Sequence, residues 1–133
     1  MKDDLDNYLE EVSEPIRKFC LENREAFETG KCRNHPGKQK LPGGLKFHTL
    51  QVIKKALELN QVLDRREIIE TTLVHDIKGY EKLPLSKCQK MAIAATKGLP
   101  YREWRPTECY KFVVLILIAD MWSAFINERD LYV

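Results

Sequence analysis

No apolar run in this chain is long enough to cross a membrane. The longest, Phe112 to Ala119, has eight residues and is closed by Asp120, whereas a spanning helix needs about 20. The opening residues, Met1-Lys2-Asp3-Asp4-Leu5-Asp6, are polar and acidic, without the apolar stretch of a signal peptide. The expectation is therefore a cytoplasmic protein with no membrane partner. Net charge is also scarce. Lysine and arginine number 22 against 20 acids, leaving +2, so bulk charge gives no support to nucleic acid as a partner. The four cysteines, Cys20, Cys32, Cys88 and Cys109, include no Cys-x-x-Cys pair and are expected to be reduced thiols. Cys32-x-x-His35 has a ligand-like spacing, but no second pair completes a zinc site. Strand signals are weak: no alternating run and no Asn-Gly or Asp-Gly hairpin occurs between β-branched stretches. Internal repeats and low-complexity segments are absent too.

What remains is an ordinary globular composition, 44% apolar and 32% charged over 133 residues, sufficient for one domain with one core. The signals that are present are helical. Residues 3–12 and 13–28 read as one broken helix or two short ones, with Pro15 in a first turn after Ser13. Gly30 ends this segment, and a loop with Pro36, Gly37, Pro42, Gly43 and Gly44 follows. Apolar residues recur at helical spacing from Leu45 to about Gln61. Asp64 and Glu67 make a cap for a helix ending near Lys78-Gly79, and Ser86 and Gln89 make a capping box for one closing at Gly98. After a loop with Pro100 and Pro106, Thr107 caps a last helix to about Asn127. That helix is apolar nearly all round from Phe112 to Ile118, which predicts a central position. The expectation is an all-α domain of five to six helices over residues 1–133, with an N-terminal helical segment at 1–30 and the core at 35–127.

Asp120 is the most informative residue. A carboxylate inside a core helix costs several kcal/mol unless it is paired, hydrogen-bonded or bound to a metal. Two of the three histidines, His48 and His75, also fall on helices predicted to face the core, and His75 is followed by Asp76. Two imidazoles and two carboxylates are a donor set suited to a divalent transition ion.

The ordered set His48, then His75-Asp76, then Asp120, resembles the signature of the HD-domain phosphohydrolase superfamily. It is carried by Gly43-Gly44-Leu45-Lys46-Phe47-His48-Thr49-Leu50-Gln51-Val52, by Leu73-Val74-His75-Asp76-Ile77 and by Ile118-Ala119-Asp120. The first stretch is especially similar to the HD module of a bacterial 3′–5′ exoribonuclease family, which bears on the fold and not on RNA as substrate. The resemblance implies that His48, His75, Asp76 and Asp120 hold one divalent ion (manganese, iron, cobalt, nickel, zinc or magnesium). It further implies hydrolysis of a phosphomonoester or nucleotide by metal-activated water. Asp76 is the candidate to orient that water, and Glu81 is a second candidate catalytic carboxylate.

Two departures qualify the likeness. The usual His-Asp-x-Gly-Lys reads His75-Asp76-Ile77-Lys78-Gly79 here, with glycine and lysine exchanged. The additional histidines of two-metal members are also absent after His75, which disfavours a two-metal site. Residues 31–46 hold five bases and no acid, while residues 1–28 hold nine acids and four bases. This asymmetry suits a phosphate-facing loop. Candidate substrate-binding residues are Arg33, Lys46, Lys78, Lys97 and Arg102. In the loop with Arg102, Tyr101, Trp104 and Arg105 are suited to stacking on a base, although Trp104 equally fits as a cap on the core. The competing readings are a catalytically inactive HD module that binds a nucleotide or a partner protein, and a metal-free helical adaptor.

Overall fold

The computed structural model describes residues 3–30 and 43–130. These form an all-α bundle with no strand among the described residues. Its helices are α1 (Asp4–Leu9), α2 (Glu14–Glu22), α3 (Arg24–Thr29), α4 (Gly44–Leu59), α5 (Arg65–Val74), α6 (Lys87–Thr96), α7 (Tyr101–Trp104) and α8 (Tyr110–Asp130). The number exceeds five or six for two local reasons. The N-terminal segment is interrupted at Glu10–Ser13 and again at Asn23, giving three short helices. Pro100 then opens the single turn of α7 within a stretch that reads as a loop between prolines. The basic loop at 31–42, with Arg33 and the Cys32/His35 spacing, lies outside the described residues.

Each core helix shows why it forms. α4 buries Leu45, His48, Thr49, Val52, Ile53 and Ala56, a helical stripe. Gly43 enters it with φ 85°, a left-handed conformation that glycine adopts without strain. Asp64 caps α5 by accepting from the Glu67 N–H at 2.9 Å. From Ile68 to Val74 α5 is buried on every side, and its two threonines are satisfied within the helix. Thr71 Oγ1 donates to the Glu67 carbonyl and Thr72 Oγ1 to the Ile68 carbonyl. α6 opens with the reciprocal Ser86–Gln89 capping box. The same Gln89 amide donates to the Glu67 carbonyl and to Glu70 Oε1, both at 3.2 Å, which ties α6 to α5.

The acidic N-terminal segment packs onto its own domain. Leu5, Leu9, Val12, Ile16, Cys20 and Phe27 are buried against α4, α5 and α6. Polar clamps hold its edge: Arg17 donates to the Leu9 and Val12 carbonyls, and Arg65 makes a two-pronged contact with Glu11 at 2.7 and 3.0 Å.

Two expectations are corrected here. α8 is not buried all round. Phe112, Val113, Ile116, Ala119 and Ser123 face the core, whereas Ile118, Met121 and Phe125 are half to two-thirds exposed. A continuous apolar run carries no phase, so it cannot announce which face turns outward. The cysteines are not all thiols either. Cys88 and Cys109 form a disulfide, joining the start of α6 to the start of α8 across a sequence separation of 21. Their Cα atoms lie 4.9 Å apart, within bridging reach, and no short spacing in the sequence could show this. Cys20 is a free thiol whose pKa burial pushes up to about 12, so it is inert.

Candidate metal centre

Three elements bring four side chains to one point. His48 comes from the second turn of α4, His75 and Asp76 from the end of α5, and Asp120 from the middle of α8. His48 Nε2 lies 2.9 Å from Asp120 Oδ1 and 3.4 Å from Asp76 Oδ2. His75 Nε2 lies 3.0 Å from Asp76 Oδ2 and 3.4 Å from Asp120 Oδ1. Both imidazoles are fully buried, while the Asp120 side chain is 16% exposed and that of Asp76 is 29% exposed. The cluster thus opens to solvent on its carboxylate side and is sealed by protein on its histidine side.

The donor atoms of His48, His75 and Asp120 lie within 4.8 Å of one another, and these residues could hold a metal ion. Ligand atoms about 2.0–2.2 Å from one ion stand roughly 2.8–3.6 Å apart across a tetrahedral or octahedral shell, and all four separations above fall in that range. His75 Nε2 and Asp120 Oδ1 are buried, and the polar atoms they face are other members of the cluster. A shared cation would satisfy these donor atoms together.

Electrostatics agree. Burial opposes charge on His75, but the Asp76 and Asp120 carboxylates outweigh it and push its pKa up to about 10. Burial likewise acts to raise both carboxyl pKa values. The two histidines overcome it and hold Asp76 and Asp120 well below the usual carboxylate range. Both acids are therefore ionised, and the centre favours positive charge, either a proton on His75 or a cation that displaces it.

The imidazoles are held from behind. His75 Nδ1 donates to the Thr72 carbonyl at 2.6 Å, and His48 Nδ1 lies 3.0 Å from the Ser123 hydroxyl. Ser123 carries no pattern in the sequence. The available signal was its place three residues after Asp120, hence on the same face of α8.

Among the described residues, no hydrogen bond or ion pair joins the other candidates to this cluster. Glu81 is exposed on a 3-10 turn, Tyr80–Lys82, and no hydrogen bond or ion pair joins it to the four residues. Lys78 is exposed two residues after Asp76, where Gly79 turns the chain with φ 99°. Lys97 Nζ sits 5.6 Å over the Tyr80 ring, beside the turn that follows the doublet. Lys46 is engaged by Asp3 at 2.6 Å and Glu28 at 3.7 Å. Arg102 is exposed on α7, and Trp104 is buried, stacked on Tyr110 at 5.8 Å and edge-on to Tyr101 at 4.8 Å. The structure thus places Trp104 in the core rather than on a base-stacking surface. Trp122 lies under Lys55, whose Nζ is 4.6 Å from its ring centre. No family model matches the chain, and neither a curated protein nor a solved structure matches it.

Proposed function

We propose that this protein is a metal-dependent phosphohydrolase of the HD-domain type, acting on a phosphomonoester or nucleotide at one divalent ion. One observation carries the reading: two buried imidazole nitrogens and two ionised carboxylate oxygens from three separate elements converge at 2.9–3.4 Å. Two ionised carboxylates in this setting need positive charge beside them, and a divalent ion ligated by both histidines would supply it. The order of the four residues, and its resemblance to the HD signature, add independent support.

His48, His75, Asp76 and Asp120 would hold the ion. A bound divalent cation supplies Lewis acidity toward a phosphoryl oxygen and lowers the pKa of water. The chain's own residues supply the rest. The buried histidine side excludes solvent, so substrate enters past Asp76 and Asp120. Asp76, the more exposed carboxylate, would orient the attacking water. Lys97, held over Tyr80, and Lys78 offer positive charge to the remaining phosphate oxygens. Glu81 is the weaker catalytic candidate, since nothing ties it to the cluster.

A second reading, an inactive module that binds a nucleotide or a partner protein, is favoured by the exchanged Lys78-Gly79 and by Lys46 being taken up by Asp3 and Glu28. A panel of phosphomonoesters and nucleotides, assayed with added manganese, cobalt or nickel, separates the two. Turnover that requires metal and disappears in Asp76→Ala supports the hydrolase. Tight nucleotide binding without turnover supports the module and ends the catalytic reading.

A further inference from the structure

We infer that Ser123 and Gln51 form a positioning relay that fixes His48 as an Nε2 ligand. The inference rests on the metal reading above and concerns how one ligand is prepared for it.

The direction of the hydrogen bonds decides the tautomer. Ser123 Oγ lies 2.8 Å from Gln51 Oε1. An amide oxygen can only accept, so the single hydroxyl proton of Ser123 is donated there. The same hydroxyl lies 3.0 Å from His48 Nδ1, and its remaining capacity toward that nitrogen is as an acceptor. Nδ1 must then carry the ring proton. Nε2, the atom that faces Asp120 and Asp76, is then the ring nitrogen left to ligate a bound cation. In His75 the Thr72 carbonyl holds Nδ1 as a donor in the same way, and it is a backbone group that no substitution removes.

Helix geometry explains the layout. Gln51 follows His48 by three residues on α4, and Ser123 follows Asp120 by three residues on α8. Each helix therefore presents a ligand and, one turn along the same face, a supporting group. Ser123 is completely buried, which shields the relay from exchange with water. The hydroxyls of Thr71 and Thr72 turn back onto their own helix, the ordinary habit of such residues. That of Ser123 crosses from α8 to α4, where it meets both His48 and Gln51.

The probe is Zn²⁺ alone, titrated by calorimetry into the full chain, with ¹⁵N–¹H correlation spectra of the histidine rings in the zinc-loaded protein. Ser123→Ala is expected to weaken Zn²⁺ about 10–100-fold, the range for loss of a ligand's outer partner. The slowly exchanging His48 Nδ1–H signal should vanish while that of His75 persists as an internal control. Gln51→Leu should weaken binding as well, because it removes the acceptor that draws the Ser123 proton away from Nδ1. Gln51→Glu, which keeps an acceptor, should retain wild-type affinity. Should Ser123→Ala fail to fold, the Gln51 pair carries the test, since Gln51 is only partly buried. Unchanged affinity in both folded variants, or a His48 ligated through Nδ1, overturns the relay and leaves the metal reading standing. A wild-type protein that takes up no Zn²⁺ overturns both.

Discussion

Asp120 Oδ1 on α8 lies 2.9 Å from His48 Nε2 on α4. A carboxylate in the most apolar stretch of the chain thus meets a fully buried imidazole across the two longest helices. Packing alone does not call for a charge there, because an apolar residue of similar size would fill the helix interface at no electrostatic cost.

Asp120→Asn keeps that size and removes the charge. The folded variant is expected to lose more affinity for Zn²⁺ or Mn²⁺ than the roughly 100-fold limit for an outer partner, while its circular dichroism stays helical. Calorimetric titration of purified protein checks this. Wild-type affinity in Asp120→Asn would remove Asp120 from the ligand set.

Glu70 provides a pH signature away from the centre. Its carboxylate accepts from the Ser13 N–H at 2.9 Å, from Gln89 at 3.2 Å and from Arg66 at 3.4 Å. Burial acts to raise its pKa, but these donors outweigh it and lower the pKa from 4.5. A folded pKa below the unfolded one adds stability above the unfolded value, and that stability is lost as pH falls through the folded value. Glu70→Gln is expected to be less stable at neutral pH by about 1–3 kcal/mol and to lose less on acidification below about pH 4.5. Urea midpoints of both proteins across that range give the comparison, and parallel curves would refute it.

The Cys88–Cys109 bridge closes a loop with a sequence separation of 21. Loops of that size contribute about 3 kcal/mol by restricting the unfolded chain. The double variant Cys88→Ser/Cys109→Ser should melt measurably lower than the wild type, and a reductant should lower the wild type to the same point. A melting curve indifferent to reductant would count against the bridge.

Much of this architecture was legible because its signals are local. The Asp64 cap and the Ser86–Gln89 capping box depend on residues three apart, and the α4 stripe on a single periodicity. The three fragments of the N-terminal segment and the one-turn α7 were less legible. Tertiary packing rather than propensity holds helices so short, and a stretch between Pro100 and Pro106 looks like a loop. At the centre, His48, His75, Asp76 and Asp120 were readable as polar residues misplaced in apolar surroundings. Ser123 and Gln51 were not, since a serine or glutamine on a helix breaks no rule until its partner across the bundle is known. Lys46 looked free to meet a phosphate, yet Asp3 in the acidic N-terminal segment reaches it at 2.6 Å, a pairing between distant parts of the chain that no local pattern encodes.

The most direct test is a crystal grown with Mn²⁺ and measured at the manganese absorption edge. The account predicts one anomalous peak per chain, bonded to Nε2 of His48, Nε2 of His75, and one carboxylate oxygen each from Asp76 and Asp120. A map from manganese-saturated crystals with no peak between these four side chains, or with the ion held elsewhere, would contradict it.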